Sequence, residues 1–323
     1  GNLKSHSMES ISDTPKVALL GCGYWGKNLA RNFHSLRALS CVCDPSEVGR
    51  VTAKEIAGGV QTTDRFELVF ADSEIDAVAI ATPAPTHFEL ATMALRAGKD
   101  VFVEKPMTLC ADKADQLHEL AREQQRVLMA GHLMEYHPAV QHLREAITGG
   151  EFGEVRYLIS NRLNFGIVRT AENAWWSLAP HDISVILRLM GELPESVTCH
   201  GGSFVNDAVN DLANAQLQFS AGRQAQIAVS WLHPVKERKL FVIGSERSAI
   251  FDDTANSLTI FNQQVYVNNG VPELNDQGSK AVVLPVGEPL QRECQHFLEC
   301  VKTRATPLTD GSSGAAVVRV LEV

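Results

Sequence analysis

The sequence lacks the features of several common protein classes. Within its 323 residues no apolar run approaches the ~20 residues that span a bilayer, which argues against a membrane role. The formal net charge is −9 and the lysines and arginines are not clustered, so a nucleic-acid partner is disfavoured. The seven cysteines are scattered without a C-x-x-C pair, a pattern that favours reduced thiols in a cytoplasm over a metal site.

The first residues, GNLKSHS, also lack the long apolar core of a secretion signal. Met8 is a candidate natural start. Residues 1–13 are therefore interpreted as a cloning remnant and leader, and they take no part in the fold prediction.

The chain is long enough for two domains, and its texture changes near residues 131–137. Residues 14–132 alternate short, β-rich apolar runs with amphipathic segments, which predicts an α/β domain with a parallel sheet flanked by helices. The predicted buried strands are residues 17–20, 39–43, 77–81, 101–103 and 127–130.

Residues 133–323 show longer alternating runs and short turns, which predicts an α+β domain on a largely antiparallel open sheet. The predicted strands are residues 155–165, 197–204, 213–219, 224–231, 239–243 and 257–261, and the predicted helices are residues 138–147, 182–190 and 289–303. A broad sheet with one uncovered face invites association, so we expect a homodimer or homotetramer.

One helix of the first domain carries signals at both ends. Thr86 and Glu89 have the spacing of a capping box, and Gly98 can close the far end. Residues 87–97 are therefore predicted to be helical.

A glycine fingerprint, Gly21-Cys-Gly23-Tyr-Trp-Gly26, follows the first predicted strand and leads into a helical pattern. At such a turn the glycines allow close approach to a pyrophosphate, and the first N–H groups of the helix face the phosphates. Asp44, at the end of the next strand, can accept hydrogen bonds from the adenosine ribose and repel the extra phosphate of NADP. The pattern predicts an NAD-binding Rossmann domain in residues 14–132, with Tyr24 and Trp25 also at the cofactor. Because Arg50 lies nearby, NADP remains an alternative cofactor. The structural alternative is that the glycines form an ordinary tight turn without a ligand.

A second motif, Glu104-Lys105-Pro106, ends the fourth predicted strand. Ligands of open α/β sheets bind outside the carboxyl ends of the strands, so Glu104 and Lys105 are predicted to lie on the cofactor side. Thr82 and Pro83, together with His87, are predicted to shape the loop on the nicotinamide side. For His87, simple exposure on a first helical turn is an equal alternative.

Together with His181-Asp182, these motifs make the chain resemble the glucose-fructose oxidoreductase and inositol dehydrogenase family (Gfo/Idh/MocA) over essentially its whole length. The resemblance implies NAD-dependent oxidation of a secondary hydroxyl of a sugar or nucleotide sugar. Residues 161–166 and 175–184 are similar to the branch that oxidises UDP-N-acetylglucosaminuronate at C3. Members of that branch serve bacterial surface-polysaccharide synthesis, and some retain NADH and reoxidise it with a 2-oxo acid.

One position departs from the family pattern. The family commonly has an aspartate four residues before its catalytic histidine, where this chain has Ser177. A serine carries no charge to orient the imidazole, which puts the family's Lys/Asp/His arrangement in doubt here. Asp182 directly follows His181, and its expected role is to cap the predicted helix.

Oxidation of an alcohol needs a base for the hydroxyl proton and a donor that stabilises charge on the oxygen. A histidine, with an ordinary pKa of ~6.5, suits the first task better than a lysine at ~10.4. His181 is therefore assigned as the general acid/base and Lys105 as the donor to the reacting oxygen. If burial beside the cationic nicotinamide lowers the pKa of Lys105 enough, the two roles are exchanged, with Lys105 as the base. A packed His181 and a merely solvated Lys105 are the structural alternatives.

Substrate contacts are also predicted at Arg162, Asn164 and Arg169, since arginine binds carboxylates and diphosphates through paired hydrogen bonds. One of the two arginines is expected to touch substrate. Trp176, like its neighbour Trp175, is a candidate for stacking on nucleotide or sugar, with core packing as the rival. The alternative functions are an inositol or simple hexose dehydrogenase and a noncatalytic NAD-sensing protein of the same fold.

Overall fold

The computed structural model describes residues 13–323, which form two compact units. The first contains residues 13–108, 113–131 and 290–311, and the second contains residues 109–112, 132–289 and 312–323. Residues 1–12 lie outside this description, and so does most of the stretch interpreted as a cloning remnant and leader.

Parallel strands form the sheet of the first unit. They are β1 (Val17–Leu20), β2 (Leu39–Cys43), β3 (Gln61–Thr63), β4 (Ala77–Ile80), β5 (Asp100–Glu104) and β6 (Leu128–Gly131). Their order across the sheet is β3-β2-β1-β4-β5-β6, which is the order of a Rossmann fold. The predicted α/β class of this part of the chain is confirmed.

The α-helices of the described chain flank the two sheets. In chain order they are α1 (Gly26–Ser35), α2 (Glu47–Ile56), α3 (Phe66–Ala71), α4 (His87–Arg96), α5 (Ala111–Glu123), α6 (Pro138–Thr148), α7 (Ala174–Met190), α8 (Pro289–Thr303) and α9 (Gly311–Leu321). None of the helices in residues 13–323 combines the length and the apolar character needed to cross a bilayer.

The segment 290–311 packs with the first unit, although the sequence-based boundary assigned it to the second domain. Phe297 of α8 meets Phe33 and Phe102 edge to face, with ring centroids 6.3 and 5.7 Å away. Arg304 donates paired hydrogen bonds to the buried Asp100 carboxylate at 2.6 and 3.0 Å. Aromatic packing and a charge-assisted pair therefore attach a distant segment to the parallel sheet.

The helix predicted at residues 87–97 is α4, but its predicted capping box is wrong. Thr86 has helical backbone angles and makes no side-chain cap; its hydroxyl donates instead to the carbonyl oxygen of Pro83 at 2.7 Å. A short 3₁₀ turn at residues 84–86 leads directly into α4, so the helix begins without a side-chain cap. The far end agrees with prediction, because Gly98 has a φ of +80°.

The second unit has an eight-stranded sheet. Its strands are β7 (Val155–Phe165), β8 (Ser196–Gly202), β9 (Leu212–Gln218), β10 (Gln224–Ser230), β11 (Leu232–Gly244), β12 (Ser248–Asp252), β13 (Ser257–Asn268) and β14 (Val271–Val282). The order is β14-β13-β12-β11-β7-β10-β9-β8, and every pair is antiparallel except β7 with β10. The predicted, largely antiparallel sheet is confirmed.

Helix α7 begins eight residues before its predicted start at 182. The side chain of Asn173 caps it by accepting a hydrogen bond from the N–H of Trp176 at 2.9 Å. Pro180 lies inside the helix, where it removes one intrahelical hydrogen bond without ending the helix. His181 and Asp182 therefore lie in the middle of α7, and the prediction that Asp182 caps the helix is wrong.

Candidate active site

The glycine loop follows β1 and opens α1. Gly21 has a φ of +88°, and a Cβ there would lie 2.8 Å from the carbonyl oxygen of Ala81, at the end of β4. A Cβ on Gly26 would collide with the carbonyl group of Gly21. Gly23 is different, because a Cβ there would meet nothing within 4 Å. The outer glycines are thus required by the turn and its packing, while the middle one leaves open space above the helix start.

Asp44 follows β2 and is only 9% exposed. Its Oδ2 accepts a hydrogen bond from the backbone N–H of Cys22 at 2.8 Å, and its Oδ1 accepts from the N–H and hydroxyl of Ser46 at 2.8 and 2.9 Å. These bonds hold the carboxylate against the glycine loop. A carboxylate has about four acceptor positions, so one remains for a further donor. Arg50 donates to the carbonyl oxygens of Asp44 and Pro45 at 2.8 and 3.0 Å, which keeps its guanidinium nearby.

The Glu104-Lys105-Pro106 motif is tied to the same loop. The indole Nε1 of Trp25 donates to Oε1 of Glu104 at 2.7 Å, and the backbone N–H of Lys105 donates to Oε2 at 3.3 Å. The Glu104 carboxyl is buried, and this burial raises its pKa to about 7. The Lys105–Pro106 peptide bond is cis. Trp25 and Glu104 are thus partners of each other, whereas Tyr24 is 79% exposed beside the loop.

His87 connects the two loops of the predicted nicotinamide side. Its Nδ1 lies 2.8 Å from the carbonyl oxygen of Pro106, and its Nε2 lies 2.8 Å from that of Thr82. The side chain is 2% exposed, so the alternative of an exposed histidine is wrong. Burial lowers the pKa of His87, and a neutral imidazole donates to one of the two carbonyls at a time. Thr82 is half-buried and Pro83 is exposed at the surface of this loop.

His181 lies in the second unit, at a small cavity of about 20 Å³ between α7 and the sheet. Asp182 is buried there; its Oδ1 accepts a hydrogen bond from the hydroxyl of Ser160 at 2.7 Å, and its Oδ2 accepts from Nε of Arg162 at 2.9 Å. Ser177, one helical turn before His181, is also buried. The polar residues at this cavity are Ser160, Arg162, His181, Asp182, Arg238, Lys239 and Asp253.

The other predicted substrate residues do not line this cavity. The side chain of Arg169 is 48% exposed and pairs loosely with Glu172 at 3.6 Å. Asn164 is half-buried, and its Oδ1 is covered without a hydrogen-bond partner among residues 13–323. Trp176 is half-buried against the core, and Trp175 donates its indole N–H to the carbonyl oxygen of Leu321 at 3.1 Å. For Trp175, core packing is therefore the better interpretation.

Sequence reasoning missed Arg238. This residue lies directly opposite Arg162 in the antiparallel pairing of β7 with β11, so both project from one face of the sheet. Leu240 and Val242 alternate with it and are buried. The alternation of buried residues at 242 and 240 places residue 238 on the same, inward face of the strand. An arginine at an inward position could have indicated a functional residue. It was missed because the predicted strand began at residue 239.

The first unit has a parallel sheet of Rossmann order, with a glycine loop after its first strand and an acidic residue after its second. These features define the dinucleotide-binding domain of an oxidoreductase. The family described as "Oxidoreductase family, NAD-binding Rossmann fold" matches residues 15–132, and the GFO/IDH/MocA C-terminal domain matches residues 140–250. The chain belongs to the Gfo/Idh/MocA oxidoreductase family. The predicted family, the NAD cofactor and the assignment as an enzyme are confirmed.

The relatives include sugar and inositol dehydrogenases. UDP-N-acetylglucosamine 3-dehydrogenase of Acidithiobacillus ferrooxidans is 30% identical over 304 residues, which is 94% of each chain. A solved structure of that enzyme has a TM-score of 0.84 at 29% identity and covers 95% of each chain. The NAD⁺-dependent scyllo-inositol 2-dehydrogenase of Bacillus subtilis is 28% identical, covering 91% of this chain and 88% of its own.

Proposed function

We propose that the chain oxidises a secondary hydroxyl of a nucleotide sugar, with Lys105 and His181 as its catalytic residues. The observation that carries the proposal is the anchoring of the Lys105 loop to the glycine loop through Trp25 and Glu104. These two bonds tie Lys105, the candidate hydrogen-bond donor to the reacting oxygen, to the loop proposed to bind the cofactor.

The residues around the glycine loop fit NAD. The open space at Gly23 gives room for a pyrophosphate, and the N–H groups at the start of α1 are its natural partners. Asp44 would bind the adenosine ribose. When bound, NAD supplies the acceptor for the hydride that leaves the alcohol carbon.

The protein side chains then handle the proton. His181 removes it from the hydroxyl group during oxidation and returns it in the reverse reaction. Lys105 donates a hydrogen bond to the same oxygen, which stabilises the developing alkoxide. Ser177 brings no carboxylate to His181, and Asp182 uses its carboxylate to bind Ser160 and Arg162. The proposed catalytic pair therefore works without the family's usual aspartate.

For the substrate, we favour oxidation at C3 of UDP-N-acetylglucosamine or its uronate. Similarity to the UDP-N-acetylglucosamine 3-dehydrogenase of A. ferrooxidans supports a nucleotide sugar as the substrate. The segments 161–166 and 175–184, which are similar to the branch that acts on the uronate, support the uronate form. Inositol oxidation is the second candidate, favoured by the similarity to the B. subtilis enzyme. Both relatives are dehydrogenases, which favours catalysis over a noncatalytic sensor.

The direct test is NADH formation with purified protein, NAD and a substrate panel. The panel contains UDP-N-acetylglucosamine, its uronate, scyllo- and myo-inositol and glucose. A 2-oxo acid is supplied in parallel and its reduction is followed, because a retained cofactor would hide NADH accumulation. The expected result is turnover with a nucleotide sugar, and turnover with inositol alone would replace this proposal by its second candidate.

We also propose a cytoplasmic homodimer or homotetramer that associates through the sheet of the second unit. Several large apolar side chains of β13 and β14 are 46–84% exposed, namely Val265, Tyr266, Val267, Val271 and Leu274. Val265, Val267 and Leu274 lie on one face of this strand pair, because Val265 is paired with Leu274, and their exposed apolar surface supports association. Seven free cysteines in the described chain fit a reducing compartment. Light scattering that gives the mass of one chain would contradict the oligomer.

A further inference from the structure

Two arginines face each other across the sheet beside His181. Arg162 of β7 and Arg238 of β11 are direct partners in the antiparallel register. Like charges directly opposite one another destabilise a sheet unless something compensates them. For Arg162 the compensation is visible, since Asp182 accepts its hydrogen bonds at 2.9 and 3.4 Å.

Arg238 has no such partner. Among residues 13–323 no side chain or backbone group forms a hydrogen bond or ion pair with its guanidinium, although Asp182 and Asp253 act on it from a greater distance. The side chain is half-buried, and both burial and the charge of Arg162 lower its pKa. A guanidinium nevertheless stays protonated at neutral pH, so a partly desolvated cation remains here without a protein partner among residues 13–323.

The surrounding cavity has an excess of positive charge. Its charged walls comprise three cations, Arg162, Arg238 and Lys239, and two anions, Asp182 and Asp253, which gives a formal net charge of +1 with neutral His181. The volume of about 20 Å³ holds roughly one water-sized group. An anionic group bound there must lie within a few bond lengths of whatever His181 touches.

We propose that Arg238 is the specificity-determining residue of this site and binds an anionic group attached directly to the ring of the substrate. This inference rests on the proposed function, in which His181 acts on the reacting hydroxyl. The group is a carboxylate of a uronate or a phosphate bonded to the ring. Arg162 holds Asp182 in place and is a positioning residue. Neutral rings such as inositol or glucose leave Arg238 without a partner.

The test compares substrates in the wild type and in Arg238→Met. We expect the ratio of kcat/KM for an anionic ring over a neutral ring to fall roughly tenfold to hundredfold, as for loss of a charge-assisted hydrogen bond. Arg238→Lys keeps the charge and should retain part of the preference. Arg156→Met removes an exposed arginine near the start of β7, the neighbouring strand, and should leave the ratio unchanged.

The substrates distinguish the two sources of charge. A loss confined to the uronate assigns the carboxylate, and an equal loss with UDP-N-acetylglucosamine and its uronate assigns the phosphate. An unchanged ratio in Arg238→Met overturns the proposal. If the methionine variant does not fold, Arg238→Lys replaces it, with a smaller fall expected and an unchanged ratio again contradictory.

A binding measurement separates this inference from the proposed function. Calorimetry of the NAD-loaded wild type with the UDP-sugar uronate should show binding that weakens at least tenfold in Arg238→Lys or Arg238→Met. Arg238-dependent binding without any NADH formation would remove the proposed reaction and keep the anion site. Turnover with an Arg238-independent affinity would keep the reaction and remove the anion site.

Discussion

The indole N–H of Trp25 donates a 2.7 Å hydrogen bond to the buried carboxyl group of Glu104, and this bond joins the glycine loop to the Lys105 loop. The two residues are 79 positions apart in the sequence. Glu104 also accepts the backbone N–H of Lys105, so a single carboxyl group connects the cofactor loop with a candidate catalytic residue.

Glu104→Gln should change how stability depends on pH. The pKa of Glu104 rises from 4.5 to about 7 in the folded chain, so the folded state holds the proton more tightly than the unfolded state. Its contribution is complete below pH 4.5 and is lost as the pH rises to about 7. The loss is on the order of 3–4 kcal/mol, because the pKa rises by about 2.5 units and one unit corresponds to about 1.4 kcal/mol.

Urea denaturation at several pH values measures this effect. The free energy of unfolding of the wild type minus that of Glu104→Gln should decrease across the window from pH 4.5 to about 7 and stay level above it. A constant difference would contradict the raised pKa. Trp25→Phe, which keeps the ring but loses the indole donor, serves as a second variant at the same bond.

Lys105→Met and His181→Ala should each lower kcat by roughly 10²- to 10⁴-fold. This is the usual effect of losing a general acid/base or a hydrogen-bond donor to the reacting oxygen. NAD affinity should stay nearly intact in both variants, since neither side chain is needed for the pyrophosphate. Stopped-flow absorbance measures NADH formation, and calorimetry measures NAD binding. The matched control variants are Lys54→Met and His200→Ala, which replace an exposed lysine and an exposed histidine. A wild-type rate in either catalytic variant would remove that residue from the mechanism.

Asp44→Asn should weaken the preference for NAD over NADP. The substitution removes the negative charge that repels a 2′-phosphate, while the amide oxygen can still accept the N–H of Cys22. We expect the ratio of kcat/KM values for the two cofactors to shift by roughly tenfold towards NADP. Adding Arg50→Ala should cancel part of that shift, because Arg50 is the cation held beside Asp44. An unchanged ratio would mean that another residue sets the cofactor preference.

Asp182→Asn should destabilise the second unit by about 2–4 kcal/mol, because it leaves the guanidinium of Arg162 without its charged partner. A helix cap, the role predicted from sequence, would cost only about 1 kcal/mol. Thermal or urea unfolding distinguishes the two values, with Asp207→Asn as a control at an exposed aspartate. A loss near 1 kcal/mol would show that the buried pair contributes little.

Much of the first unit could be predicted because its signals are local. The apolar runs of β1 and β2 coincide with the predicted residues 17–20 and 39–43, since buried parallel strands are continuous in sequence. The short strand β3, with the sequence QTT, was missed because it is polar and none of its three residues is fully buried. In the second unit β14 was missed as well, since its sequence VPELNDQGSKAV is polar and mostly exposed.

Helix α7 shows why boundaries are harder to predict. Pro180 is a local signal for a helix end, yet the packing of α7 against the sheet keeps the helix continuous through it. The roles of His181 and Asp182 depend on that continuity. Tertiary packing overrode a local preference at this position.

By itself the sequence determined the buried strands β1, β2, β4, β5 and β6 of the first unit. It also determined the glycine turn, the acidic residue after β2 and the position of Lys105 at a strand end, because each follows from short-range pattern and backbone geometry. The tertiary structure alone decided that Trp25 pairs with Glu104, that His87 joins two loops, and that Arg238 faces Arg162. Apart from Thr82, which lies five residues before His87, these partners are far apart in the chain. Only the pairing of strands and the burial of charge bring them together, and no local pattern records which distant residue completes a hydrogen bond.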